Sequence, residues 1–204
     1  MTTLTAPPPH AKSKLSIAGD ALLLVADLQA GIADLPLTVP EARLKRGVAA
    51  LMRLVAIFNL PVLITAVPGA DGKPSPLMAE VEAGRGRERG VFVRTTPNSF
   101  NDQELRAAIE ASGRKTLLIS GVATEVAVQL PALTAAAEGY DVHVLIDACG
   151  GISPRTEDAA LRRLAGAGVK ISSLPTLVGE LAGDFTQPNG QQAIGVLFEL
   201  AGGS

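Results

Sequence analysis

Short apolar runs alternate with longer stretches of helical periodicity along nearly all of this 204-residue chain, and few folds accommodate that pattern. The short runs are rich in Val, Ile and Leu, as strands covered by helices on both faces require. They predict strands at residues 21–27, 61–67, 90–94, 115–120, 141–147 and 169–172, and the amphipathic stretches between them predict helices at 41–59, 102–111 and 156–165. The alternation therefore predicts an α/β fold of three α/β/α layers around a doubly wound, six-stranded, mainly parallel sheet.

The folded part is predicted to be a single domain at residues 21–204, because no linker or internal repeat interrupts the chain after Asp20. Residues 1–20 contain three consecutive prolines at 7–9 and are predicted to form a flexible tail. Two helix ends are also predicted, at Asn59 before Leu60 and Pro61, and at Ser112 before Gly113.

Composition excludes several classes of protein. The net charge of −2 and an aromatic content of 3% argue against nucleic acid as a partner, and no apolar stretch is long enough for a membrane span. A single cysteine, Cys149, excludes a disulfide framework, and only two histidines, His10 and His143, exclude histidine-based metal sites. We therefore expect a cytoplasmic protein with no metal and no cofactor.

Two motifs of nucleotide binding are missing. The basic segment at residues 84–90 lacks the Gly-Lys-Ser/Thr of a P-loop, so it is interpreted as a solvated loop or a subunit contact. No Gly-x-Gly-x-x-Gly follows the first strand, which disfavours a dinucleotide. A nucleotide-binding module is thus a weak alternative.

Polar residues at strand ends are the candidates for chemistry, because ligands of open α/β sheets bind beyond the carboxyl ends of the strands. Asp27 follows six apolar residues and is suited to proton transfer, although an aspartate that caps a helix would look the same. Arg94 ends the third strand, where pairing with a surface acid is the alternative. After the fourth strand, small residues precede a helix whose first amides would form an anion site, and Pro131 is expected to kink that helix.

Four blocks, LLLVADLQ, VFVRTTPNSF, ISGVATEVAVQLPAL and GYDVHVLIDACGG, resemble in order and spacing the signature blocks of the isochorismatase-like cysteine hydrolases, and most of all those of the YcaC-like branch. The resemblance runs from Ala21 to the end of the chain. It implies a three-layer domain in which an aspartate, a lysine and a cysteine hydrolyse small amides and related C–N bonds. It also implies a small-molecule substrate and a homo-oligomer.

Carried over by motif, the resemblance assigns Asp27 as the general base. It implies a cis peptide between Val122 and Ala123, with the backbone amides of Ala123 and Ala127 forming the oxyanion hole. Four further side chains near these blocks are predicted to contact substrate, and they are Gln29, Asn98, Phe100 and Thr124. For Asn98 and Phe100 the alternative is a role in capping the helix that follows Asp102.

Two positions depart from the family pattern. Ala127 stands where the nucleophilic cysteine is expected, and Arg94 stands where a lysine is common, keeping the charge but not the ability to share a proton. Cys149 follows the fifth strand, away from the nucleophile position, and is interpreted as a small buried thiol.

Three explanations of Ala127 remain open. The chain is a variant in which the nucleophile was replaced, or a natural hydrolase in which Asp27 works without a covalent intermediate, or a pocket that binds without turnover and serves as a scaffold or sensor. We favour a hydrolase with an altered nucleophile position.

The sequence also bears on the substrate and on assembly. Residues 67–72 contain no histidine, so the metal-binding nicotinamidase pattern is missing and nicotinamide is disfavoured. The apolar stretch QQAIGVLFELAGG near the end of the chain is expected to pack on a neighbouring subunit, with a last helix of the same domain as the alternative.

Overall fold

The computed structural model describes residues 17–85 and 90–202, which contain a parallel six-stranded sheet. The strand order is β3-β2-β1-β4-β5-β6, and every neighbouring pair is parallel. The strands are β1 (Ala21–Ala26), β2 (Val62–Ala66), β3 (Val91–Val93), β4 (Thr116–Val122), β5 (Asp141–Gly150) and β6 (Lys170–Ser172). The predicted doubly wound α/β sheet is confirmed, with all six strands at their predicted places.

Seven α-helices in the described ranges accompany the sheet. They are α1 (Glu41–Phe58), α2 (Ala79–Gly84), α3 (Gln103–Ala111), α4 (Gln129–Ala137), α5 (Pro154–Gly166), α6 (Leu174–Ala182) and α7 (Pro188–Gly202). A 3-10 turn at Ser99–Asn101 precedes α3, and a π-helical turn at Thr124–Val128 precedes α4. Of these elements, α2 and α6 were not predicted, and the apolar stretch near the end of the chain forms α7, the last helix that was the stated alternative for it.

The helices form two layers, each with its own apolar core. Buried side chains of α1, α2, α6 and α7 pack on one face of the sheet, and those of α3, α4 and α5 pack on the other. All six residues of β1 are buried because β1 is a central strand covered on both faces.

Capping residues determine where several helices begin and end. Asn59 adopts a left-handed conformation (φ +48°) as the C-cap of α1, and Gly113 does the same (φ +66°) just after α3, as predicted. The side chain of Asp102 caps α3 by accepting from the Leu105 N–H, and Ser153 caps α5 with Pro154 as the first helical residue.

The chain order reverses at the centre of the sheet, between the neighbouring strands β1 and β4. Ala26 pairs with Gly121 there, and a Cβ on Gly121 would lie 2.1 Å from the carbonyl oxygen of Ala26. Only glycine permits this close approach, which brings the ends of β1 and β4 side by side. The crevice of a doubly wound sheet lies at this position.

The prediction of a tail over residues 1–20 is wrong at residues 17–20. The Ile17 N–H donates to the Glu180 carbonyl, and the Asp20 carboxylate accepts from the Lys115 amide and the Thr116 hydroxyl. These bonds attach residues 17–20 to α6 and β4, so they belong to the domain. Residues 1–16, including His10, and residues 86–89 of the basic segment lie outside the described residues.

The helix that contains Pro131 is irregular before the proline. The Gln129 N–H donates to the Thr124 carbonyl across a widened turn, and α4 then continues through Pro131. Pro131 has no N–H to offer the Ala127 carbonyl, and the turn before it is π-helical, while the kink itself stays a prediction. Within the described ranges, no helix combines the length and apolarity that a membrane span requires.

Candidate active site

Asp27, Arg94 and the segment at residues 122–127 converge at the carboxyl edge of the sheet. They follow β1, β3 and β4, and the register Ala26 to Gly121 places Asp27 beside the end of β4. The Arg94 N–H donates to the Ala66 carbonyl, which extends the pairing of β3 with β2 by one residue. Parallel strands thus bring together two residues and a segment that are far apart in sequence, as the strand-end argument predicted.

A buried ion pair joins Asp27 and Arg94. The exposed fraction of Asp27 is 1% and that of Arg94 is 7%. The Arg94 Nε lies 3.1 Å from both carboxylate oxygens of Asp27, and the Arg94 Nη2 forms a further short contact with Oδ2. This fork is the arrangement that a guanidinium offers to a carboxylate and that an ammonium group cannot reproduce.

Both partners of the pair are held by further bonds. The hydroxyl of Thr65, from β2, donates to Asp27 Oδ1 at 3.0 Å, and the Arg94 Nη1 donates to the Thr96 carbonyl at 2.5 Å. Four contacts therefore reach the Asp27 carboxylate, which has about four acceptor positions. Asp27 also has a left-handed backbone (φ +56°), and its carbonyl accepts from the Gln29 N–H.

Ala127 lies in the π-helical turn after β4, and its side chain is 3% exposed. The Val122–Ala123 peptide bond is cis. The Ala127 N–H donates to the Ala123 carbonyl at 3.0 Å, so the helix itself already uses this predicted oxyanion donor. A methyl group offers neither a nucleophile nor a proton, and an oxyanion bound here would have to share the Ala127 amide.

Two acidic side chains anchor the same segment to α5. The carboxylate of Glu125 accepts from the Ile152 N–H at 2.9 Å and from the Thr156 hydroxyl at 2.6 Å. The Thr124 hydroxyl donates to the Glu157 carboxylate at 2.8 Å, and Thr124 is fully buried. Thr124, predicted to contact substrate, is therefore engaged in fixing the turn next to Ala127.

Gln29 and Asn98, also predicted as substrate contacts, are engaged with their own protein. The Gln29 side chain donates to the Val67 carbonyl at 3.0 Å and accepts from the Val67 N–H at 2.8 Å, so it extends the sheet beyond β2. The Asn98 side chain accepts from the Phe100 N–H and donates to the Thr134 hydroxyl. Asn98 thus caps the 3-10 turn at Ser99–Asn101, whereas the helix after Asp102 is capped by Asp102 itself.

Phe100 is part of the apolar core. Its exposed fraction is 2%, and its ring packs edge-on to Tyr140 at a centroid distance of 6.4 Å. The guanidinium of Arg106 covers the ring at 5.6 Å. The prediction of a substrate contact for Phe100 is not supported by this environment, because an aromatic residue in a closed core has no face left for a ligand.

Cys149 is not suited to act as a nucleophile in this site. It is 2% exposed on β5, and burial raises the pKa of its thiol to about 12. A thiol with that pKa is protonated at neutral pH and is a weak nucleophile. His143 lies on β5 near its amino end and contacts Asp141 and Lys170, away from Asp27. Among the described residues, no three His, Cys, Asp or Glu side chains form a metal-ligating group.

Three residues of this site were not predicted from the sequence, namely Thr65, Glu125 and Glu157. Thr65 sits inside a predicted strand, where a threonine is ordinary, and Glu125 and Glu157 precede or occupy helices, where acids are ordinary. Only the position of Thr65, paired with Ala26 across the sheet, could have indicated contact with Asp27.

Comparison with known proteins identifies the family to which this chain is similar. Residues 21–176 match the model of the isochorismatase domain. The Escherichia coli protein named "Probable hydrolase YcaC" is 34% identical over 166 residues, which are 81% of this chain and 79% of that protein.

Solved structures of YcaC proteins have the same fold. YcaC from Pseudomonas aeruginosa, solved with hexane-2,5-diol and covalent acrylamide, matches with a TM-score of 0.83 and 30% identity over 94% of this chain and 96% of that one. The E. coli YcaC structure, described as an octameric hydrolase of unknown specificity, matches with a TM-score of 0.78 and 32% identity over 96% and 91% of the two chains. The chain therefore belongs to the isochorismatase domain family, close to the YcaC-like hydrolases.

Proposed function

We propose that this protein is a hydrolase of small amides or related C–N bonds, with Asp27 as the general base. The observation that carries the proposal is the buried pair of Asp27 and Arg94 beside the turn that contains Ala127. The pair lies where doubly wound sheets bind ligands, and a buried carboxylate within reach of a water is equipped for proton transfer. Membership of a family that includes YcaC-like hydrolases supports the reaction class.

Water is the attacking group in this proposal, because Ala127 has no nucleophilic atom. A water gives one proton to Asp27 as its oxygen bonds to the substrate carbonyl carbon. The Ala123 amide and the shared Ala127 amide stabilise the oxyanion at the start of the helix. The proton then passes from Asp27 to the leaving nitrogen, the C–N bond breaks, and an acid and an amine are released.

Arg94 orients the Asp27 carboxylate in this scheme. Its guanidinium binds the carboxylate on one side and the Thr96 carbonyl on the other. Since an arginine stays protonated, it stabilises charge but does not relay a proton.

The test compares the parent chain with three variants on a panel of small amides. In the proposed mechanism the parent is active, Asp27→Asn abolishes turnover, and Arg94→Lys lowers kcat. Ala127→Cys restores the family's nucleophile and is expected to raise kcat. An active Asp27→Asn variant would refute the role of Asp27, and circular dichroism of each variant controls for folding.

Acrylamide gives a second readout that needs no turnover. One relative was solved with covalent acrylamide. Incubation with acrylamide followed by mass spectrometry is expected to add one acrylamide to Ala127→Cys, by addition of the thiol across the C=C bond. The parent, whose only thiol is the buried Cys149, is expected to remain unmodified.

A second candidate function is binding without turnover. The observation that favours it is the saturation of Asp27, whose acceptor positions are taken by Arg94 and Thr65. A base in that state must release a bond before it accepts a proton. Ligand binding measured by calorimetry, with no product from the parent or from Ala127→Cys, would support this function over hydrolysis.

We further propose that the protein works as a homo-oligomer on small molecules. The E. coli relative is octameric. Ala193 and Val196 of α7 are buried in the chain's own core, whereas Phe198 on the same helix is 71% exposed. Covering an aromatic ring of this kind favours association.

A further inference from the structure

A cleft of about 420 Å³ lies between α1, α6 and α7, on one face of the sheet. Residues from α1 and α7 line it together with Asp147 of β5 and Pro175 of α6. None of its lining residues belongs to the candidate active site. The volume is in the range of small-molecule sites, which is roughly 300–1,000 Å³.

An irregularity in β5 brings an acid into this cleft. β5 advances from Val144 to Cys149 while the paired β4 advances only from Ile119 to Gly121. The extra residues form a bulge that contains Asp147, and such bulges redirect side chains. Both oxygens of Asp147 accept from the Leu174 N–H, at 2.8 and 3.0 Å, which leaves acceptor capacity on each. Burial raises the pKa of this carboxyl, and the hydrogen bond from the Leu174 amide opposes that shift.

Two cations line the same cleft, and neither has an acidic partner within the part of the chain that the structure describes. Arg43 and Arg46, one turn apart on α1, form no ion pair with Asp147 or with another described carboxylate. Other cations of α1 are paired, since Lys45 contacts Glu41 and Arg53 contacts Glu199. The cleft therefore presents positive and negative groups that do not neutralise each other.

The remaining wall is apolar. Val39, Leu197 and Leu200 are half-buried and line the cleft beside the charged groups. A ligand that fits these three surfaces has an anionic group, a cationic donor and an apolar chain close together.

We propose that this cleft binds a free α-amino acid with an apolar side chain. Arg43 and Arg46 bind its carboxylate, Asp147 binds its ammonium group, and Val39, Leu197 and Leu200 contact its side chain. A simple anion would be attracted by the two arginines but repelled by the Asp147 carboxylate. A simple amine would be attracted by Asp147 but repelled by the two guanidinium groups. Only a zwitterion satisfies both.

The test titrates the intact protein by calorimetry with L-leucine and two analogues that each lack one charge. These are 4-methylpentanoate, which has no ammonium group, and 3-methylbutylamine, which has no carboxylate. Each missing charge removes charge-assisted hydrogen bonds, so each analogue is expected to bind at least about tenfold more weakly than L-leucine.

Variants assign each charge to its partner. Asp147→Asn keeps an oxygen for the Leu174 amide and is expected to abolish the preference for L-leucine over 4-methylpentanoate. The double variant Arg43→Gln and Arg46→Gln is expected to abolish the preference over 3-methylbutylamine. Arg162→Gln, on α5 at the other face of the sheet, is the matched control and is expected to leave all three affinities unchanged.

The outcomes separate this proposal from the proposed hydrolase. Asp27→Asn is expected to bind L-leucine like the parent, because Asp27 is not part of the cleft. The proposal is overturned if L-leucine does not bind, if both analogues bind as well as L-leucine, or if the Asp147 and arginine variants keep the parent's preferences.

Discussion

Single residues decide how the candidate site works, and Arg94 is the first example. Its planar group binds Asp27 through two nitrogens, so the two charges form one buried unit. A buried pair contributes little net stability, but removing one partner leaves an uncompensated charge.

Arg94→Met is accordingly expected to lower the free energy of unfolding by about 3–5 kcal/mol, because Asp27 stays buried without its partner. Urea denaturation followed by circular dichroism measures the change. Adding Asp27→Asn to Arg94→Met is expected to recover much of the loss, and an equal or larger loss in the double variant would contradict the coupling.

The reactivity of the Cys149 thiol provides a second test at the scale of single residues. Because its pKa is about 12 and its side chain is buried, the thiol of the native protein is expected to resist a thiol-exchange reagent at pH 8. In denaturant the same chain is expected to react at one thiol, its only cysteine. Rapid labelling of the folded protein would show that the environment of Cys149 is open.

At the scale of elements, helix α1 and the bulge of β5 are in direct contact. A Cβ on Gly47 would lie 2.1 Å from the Asp147 carbonyl oxygen, so α1 approaches β5 at a position where only glycine fits. This packing also sets the floor of the cleft lined by Arg43 and Arg46.

Gly47→Ala is therefore expected to destabilise the protein by about 1–3 kcal/mol through overpacking. Gly179→Ala on α6 is the matched control, because nothing lies within 4 Å of its added Cβ. The control is expected to gain about 0.5–1 kcal/mol from helix propensity. Thermal denaturation of both variants gives the comparison, and equal effects would argue against the contact.

At the scale of the whole molecule, α7 closes one face of the domain and exposes Phe198 on its outer side. Sedimentation of the parent is expected to show a homo-oligomer, and Phe198→Glu is expected to shift it toward smaller species, since a charge would be buried at a subunit contact. Ile152→Glu is the comparison, because Ile152 is also exposed, at 56%, but lies at the carboxyl edge of the sheet. An unchanged sedimentation coefficient for Phe198→Glu would place the interface elsewhere.

The sequence by itself determined the strands, the approximate ends of α1, α3 and α5 and the positions of Asp27 and Arg94, because apolar periodicity, caps and the strand-end rule are local or topological properties. Tertiary structure decided what those side chains contact. Arg94 and Asp27 are separated by 67 positions, and Gln29 reaches Val67 across 38. Hydrogen-bond partners at such separations depend on how the layers pack, and so do the bulge at Asp147 and its cleft. A pattern along one chain contains no measure of those distances, which is why Gln29 and Asn98 were assigned to substrate although they hold the protein's own backbone.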